Sequence, residues 1–204
     1  MSKTEKIDLY TLHKKDYVMA KEPVLIDVKP AIYLAIEGQG EPGGAAFQDR
    51  IGALYSMAFT IKMTRKFAGK QDYAVCKLEG QWWAEGCDGD FSKVPMDQWR
   101  WKLLIRTPDF IKQADLDRAV EAIVKKGKSA VVKDVTLETI HEGRCVQMLH
   151  VGPYDREKET IATMLAFAAK QGLSPRGPHH EIYLSDPRRV APEKLKTILR
   201  MPVS

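Results

Sequence analysis

Apolar and polar positions divide the chain into stretches of two different periods. Val24, Ile26 and Val28 alternate with polar residues, and Ile32, Leu34 and Ile36 do the same after Pro30, so residues 23–37 read as extended. Gly38 to Gly44 is glycine-rich but lacks the spacing and the lysine of a phosphate-binding loop, and reads as a turn. From Ala45 to Arg65 the period becomes helical, with Phe47, Ile51, Leu54, Tyr55 and Ala58 as the inner stripe. Tyr73–Leu78 and Gln98–Arg106 read as strands. The second alternates sharply, with Trp99, Trp101, Leu103 and Ile105 on one face and Arg100, Lys102 and Arg106 on the other. Asp115 is placed as the cap of a helix running to Lys126, with Gly127 just past its end. Val131–Ile140 and Cys145–Val151 are strands around a turn at Glu142-Gly143. Gly152-Pro153-Tyr154 turns into a helix capped by Asp155, whose inner face is Ile161, Met164, Leu165 and Ala168. A strand follows over His179–Leu184. Leu199, Met201 and Val203 alternate as a last strand, with a helix over 193–200 as the alternative.

The pattern repeats. Tyr33–Gly38 and Met148–Gly152 are each a strand ending in glycine, followed by a proline-containing loop and an amphipathic helix. Within the helices, Ile51–Phe59 falls near Ile161–Ala168, and two strands follow each. The expected fold is α+β: tandem strand–helix–strand–strand modules related by a pseudo-two-fold, with antiparallel sheets, helices on one face and a central pocket between the modules. The expected organisation is one domain over 1–204. It comprises an N-terminal arm (1–22), a first module (23–110), a connecting helix and strand (111–140) and a second module (141–204). The crevice is expected on the surface opposite the helices.

Net charge is +5 over 204 residues, with no basic run longer than two, so no nucleic-acid stripe is expected. Three cysteines without metal-ligand spacing (Cys76, Cys87 and Cys145) fit a reducing compartment, and no spanning or signal segment is read, so the chain is expected to be cytoplasmic. No metal or cofactor is expected. His179 and His180 are adjacent on a strand and so face opposite ways, which keeps them from sharing an ion.

The candidate chemistry sits in the strand His179–Leu184. Alternation puts Glu181 and Tyr183 on one face. A carboxylate on an inner sheet face costs free energy unless something pairs with it. That partner is either a guest molecule or an internal group, such as a backbone amide, Arg188 or Arg189. All four tryptophans lie within residues 82–101. Trp83, Trp99 and Trp101 are candidate walls of a flat apolar slot. Tyr33, Tyr55 and His150 are further candidate lining residues, the two tyrosines fitting core positions better.

His150-Val151-Gly152-Pro153-Tyr154, the helix after it, and His179–Arg189 followed by Pro192–Arg200 resemble the GyrI-like small-molecule-binding family. The resemblance implies a duplicated module around an aromatic pocket, with a glutamate at the place of Glu181 meeting polar or cationic parts of bulky ligands. It further implies that stand-alone members hydrolyse cyclopropane-bearing, DNA-alkylating natural products. In that reading Glu181, with its pKa raised by burial, is the general base, and Tyr154 or Tyr183 donates to the developing oxyanion. A non-catalytic binder of lipophilic cationic drugs, or a gyrase-inhibitor-type interaction protein, is the alternative. The implied partner is a bulky aromatic or cationic small molecule, without direct nucleic-acid or membrane binding.

Overall fold

The computed structural model describes residues 5–86, 94–127 and 129–204. Cys87 lies outside them. The arm begins with a single helical turn, α1 (Leu9–Leu12), capped by Asp8, whose side chain accepts from the Tyr10 amide. The alternating stretch that follows gives β1 (Val24–Val28) and β2 (Ala31–Gln39), and the helical stretch gives α2 (Ala45–Phe67). Next come β3 (Glu79–Trp83), β4 (Arg100–Thr107) and α3 (Gln113–Lys125). The second half supplies β5 (Thr136–Ile140), β6 (Gly143–Val151), α4 (Glu157–Lys170), β7 (His179–Tyr183) and β8 (Lys196–Pro202).

All eight strands join one antiparallel sheet in the order β1-β6-β8-β7-β3-β4-β2-β5. The order is a palindrome of modules. β2-α2-β3-β4 and β6-α4-β7-β8 each form a three-stranded half, and the halves meet at β3 against β7. The strand before each module pairs with the other module: β1 with β6, and β5 with β2. Neither edge pairing is visible in local sequence.

Several local readings shift. Tyr73–Leu78 makes only a bridge from Tyr73 to Ile7, and pairing with the main sheet starts at Glu79. Asp115 is the third residue inside α3, where its carboxylate accepts from the Lys112 amide rather than capping directly. Asp155 lies in a 3₁₀ turn (Tyr154–Arg156) that leads into α4, and α4 has no side-chain cap. Val131 lies in a 3₁₀ turn (Ala130–Asp134), and the strand begins only at Thr136.

Both long helices cover the same sheet face. α2 buries Phe47, Leu54, Met57 and Ile61 on Leu34, Leu103 and Ile105, and α4 buries Met164 and Ala168 on Val146 and Leu199. Trp101 is wholly buried there, edge-on to Phe47 at 5.0 Å. Its ring lies flat over Gly38, its neighbour across the ladder, where any Cβ would fall 2.1 Å from the indole.

The opposite face is also buried, by ionic pairing. Gln81, His180, Arg200 and Gln147 lie in one row across β3, β7, β8 and β6. His180 Nδ1 sits 2.7 Å from Glu142 Oε1, and its Nε2 lies 3.1 Å from Glu79 Oε2 in a close charge contact poorly aligned for a hydrogen bond. Arg200 binds Glu142 Oε2 at 2.6 Å and Gln147 at 2.8 Å. The N-terminal arm seals this face: the carbonyl of Asp16 accepts from Arg200 and Gln147, and Tyr17 donates to Glu79 at 3.3 Å. Among the described residues no helix is long and apolar enough to cross a membrane.

Candidate functional site

Strand alternation decides which residues can meet. Gly80 pairs with Glu181 and Glu181 with Leu199, so Glu181 lies on the helix-bearing face, in the gap between the core beneath α2 and the core beneath α4. This corrects the expectation of a crevice on the far surface, because the far surface is filled by the arm and the ionic row. The next row holds Tyr183, Thr197 and His150, again on the helix side.

Glu181 is the charge that its neighbours here respond to: the Tyr183 hydroxyl and the carboxyl of Glu157, in the first turn of α4, both lie in its field. His179 Nε2 stands 3.4 Å away, and the Glu181 side chain keeps 14% of its surface exposed. Burial and the neighbouring charge of Glu181 raise the Glu157 pKa far above the usual carboxylate range, while the nearby Thr197 hydroxyl opposes them. Burial beside the Glu181 charge thus favours the neutral form of Glu157.

The first module completes the cluster. Trp82 donates its indole N–H to the Tyr183 oxygen at 3.0 Å. Gly80 makes this contact possible, since a Cβ there would lie 3.0 Å from both the Trp82 nitrogen and the Tyr183 oxygen. Burial, Glu181 and Glu157 push the Tyr183 phenol well above its ordinary pKa, so it stays a donor. Tyr154 stands edge-to-face with Tyr183, centroids 6.0 Å apart, and is 40% exposed. Burial and then the charges of Glu157, Glu181 and Asp186 raise its pKa to about 12. Among the described residues no hydrogen bond occupies its hydroxyl.

The structure thus brings Glu181, Tyr154 and Tyr183 together and distributes the other candidates elsewhere. Trp83 alternates to the face opposite Glu181, and the indole beside the carboxylate is Trp82. Trp101 is core beneath α2. Trp99 meets Trp82 edge-on at 6.3 Å and donates to the Val94 carbonyl, one indole removed from the carboxyls. Tyr33 is buried on the far face beside Arg106, Arg200 and Glu79. Tyr55, on α2, is half-buried, beside the Leu78 backbone and near Asp186 and Arg188. His150 spends both ring nitrogens on its own turn: Nε2 faces the Pro153 carbonyl at 3.2 Å, and Nδ1 the Thr160 hydroxyl at 2.8 Å. A carbonyl only accepts, so Nε2 carries the proton, and His150 holds the Tyr154 turn in place rather than facing a ligand. The internal-arginine reading of Glu181 also fails, because Arg188 and Arg189 pair with Asp186.

Four residues of the cluster escape sequence reading: Glu157, Thr197, Trp82 and Gly80. Glu157 resembles an ordinary first-turn acid. Only its place one turn after Tyr154, on the α4 side facing Thr197, distinguishes it, and that requires the fold.

Comparison with known proteins agrees with this architecture. Residues 107–204 match the GyrI-like small molecule binding domain. A conserved protein from Listeria innocua is 42% identical, with a TM-score of 0.90, over 98% of this chain and 100% of that one. A hydrolase from Listeria innocua is 40% identical, with a TM-score of 0.88, over the same 98% and 100%. The C-terminal domain of EcmrR shares the fold at 10% identity, with a TM-score of 0.58, over 90% of this chain and 97% of that one. Among curated proteins none gives a match.

Proposed function

We propose, from the premise that this chain belongs to the GyrI-like small-molecule-binding family, that it is a hydrolase which holds a flat, bulky guest between its modules and adds water to it. The observation that carries this reading is a buried Glu157, pushed towards its neutral form by burial and the Glu181 charge, set with Glu181 beside the Tyr154 and Tyr183 rings. Paired carboxyls held in different protonation states are how one site supplies both a base and a neutral donor. The approximately 40% identity to a Listeria hydrolase supports a hydrolytic activity.

The substrate class is a strained cyclopropane conjugated to a dienone, as in DNA-alkylating natural products, and the activity is detoxifying. Glu157 keeps the proton, so Glu181 carries the negative charge of the pair. Glu181 takes a proton from water as the water oxygen bonds to the ring methylene. The ring carbon–carbon bond breaks, and its electron pair moves through the dienone to the carbonyl oxygen, which becomes a phenol by taking a proton from Tyr154. Solvent then reprotonates Tyr154 and receives the proton from Glu181, so the net change is addition of one water. Tyr183 accepts a hydrogen bond from Trp82 and is partly buried beside Glu181, so it flanks the base, and the exposed Tyr154 is the donor to the guest. General-base assistance contributes on the order of a hundred- to ten-thousand-fold. Tyr154, half-exposed at the mouth, is the wall that yields to admit the guest.

One negative charge among aromatic rings also suits a lipophilic cation, which is the binding-only reading. Incubation with a flat cyclopropane-bearing alkylator separates the two. A water adduct by mass spectrometry supports the hydrolase, and saturable binding of an unchanged guest supports the sequestering role.

A further inference from the structure

α2 is apolar on two opposite sides. Its inner side buries Phe47, Leu54, Met57 and Ile61 in the core. At about 100° per residue, Gly52, Ser56, Phe59, Met63 and Phe67 fall on the diametrically opposite side. Phe59 is 51% and Phe67 79% exposed. With Tyr55, Thr60 and Lys126 these residues line an open groove of about 490 Å³. A surface helix ordinarily carries charge on its back. α3 does so: Leu116, Ala119 and Ile123 are buried while Asp117, Arg118 and Glu121 are exposed.

The geometry points to this face as the interface of a homodimer in which α2 packs antiparallel on α2 of a second copy. The face contains both halves of the contact. Phe59, Met63 and Phe67 form a ridge at intervals of four, and Gly52, Ser56 and Thr60 form a trough at the same interval. Ridges of this kind seat in such grooves. A two-fold between Phe59 and Thr60 lays Phe67 over Gly52 of the second copy and Met63 over Ser56. Gly52 is an open notch, with no atom within 4 Å of where a Cβ would stand. The same operation points the C-terminal end of α2, where the chain turns at Gly69 into exposed Lys70, towards exposed Asp49 of the second copy, twice, bringing unlike charges near one another. A parallel pairing would instead set Asp49 beside Asp49. One self-complementary patch used twice closes as a dimer.

Sedimentation equilibrium of the full chain tests this, and the expected species is a dimer. Phe59→Glu with Phe67→Glu gives a monomer whose far-ultraviolet circular dichroism is unchanged. Gly52→Leu fills the notch and also gives a monomer, while raising helix propensity, so loss of fold does not mimic the result. Asp49→Lys or Lys70→Asp alone weakens association several-fold, and the two together restore it. A parent chain that stays monomeric at every soluble concentration overturns the proposal, as does a dimer that survives Gly52→Leu or the double phenylalanine change.

Discussion

The indole of Trp82 donates to the phenol oxygen of Tyr183 at 3.0 Å, so a strand of the first module fixes the direction in which a residue of the second gives up its proton. Trp82→Phe keeps an aromatic ring against Phe47 but removes this donor together with part of a buried indole. The expected cost is about 2–3 kcal/mol of stability in urea unfolding. Turnover is expected to fall by roughly tenfold as the Tyr183 ring beside Glu181 loses the bond that fixes it, about one factor of ten per 1.4 kcal/mol.

Tyr154→Phe separates ring from hydroxyl. The edge-to-face contact with Tyr183 survives, and binding of a flat guest stays within a few-fold. Turnover falls by roughly a hundred-fold, the effect of deleting one donor to a developing oxyanion. Fluorescence titration and single-turnover hydrolysis measure the two effects separately. A proportional loss in both would make Tyr154 a wall and nothing more.

Glu157 leaves a signature in the pH dependence of stability. Its folded pKa lies far above the ordinary 4.5, because it is buried beside Glu181. A group raised in the folded state contributes fully below its unfolded pKa and progressively less as pH rises towards the folded one. Glu157→Gln therefore gains on the parent as pH is raised from about 5 to about 9, by up to about 1.4 kcal/mol per pH unit. Parallel stability curves for the two proteins would show that the fold does not hold Glu157 protonated.

The ionic row on the far face behaves differently at each end of the scale. Burial alone would raise Glu142, but the charges of His180 and Arg200 override it and hold it at about 2. Burial alone would lower His180, but Glu142 and Glu79 raise it to about 9. The Glu142 contribution is complete above 4.5 and is lost as pH falls through 2, and the His180 contribution is complete below 6.5 and is lost as pH rises through 9. Both are whole between about 4.5 and 6.5. Glu142→Gln leaves Arg200 and His180 buried without their anion, and thermal and urea unfolding at pH 6 should lose roughly 3–5 kcal/mol.

Much of this architecture is legible in residue order. Alternation in β2, β4 and β8 and the helical stripe of α2 are local signals, and the resemblance of the two halves exposes the duplication. The exchange of β1 and β5 between modules is not local, since a strand does not record which neighbour it will meet. Register decides the site in the same way. Trp82 and Trp83 are equivalent in composition, and only pairing with His179 puts Trp82 on the carboxylate's face. Trp101 looks like a pocket wall until α2 is seen to cover it. Glu157 passes for a solvated helix-start acid until Thr197 and Glu181 are found beside it.

The central claim is that Glu181 is the base that activates water. Its most direct measurement is single-turnover hydrolysis of a cyclopropane-bearing alkylator by Glu181→Gln, with guest affinity measured on the same sample. The expected result is affinity within a few-fold of the parent and turnover lower by roughly a hundred- to ten-thousand-fold. Hydrolysis by that variant at the parent rate would contradict the account.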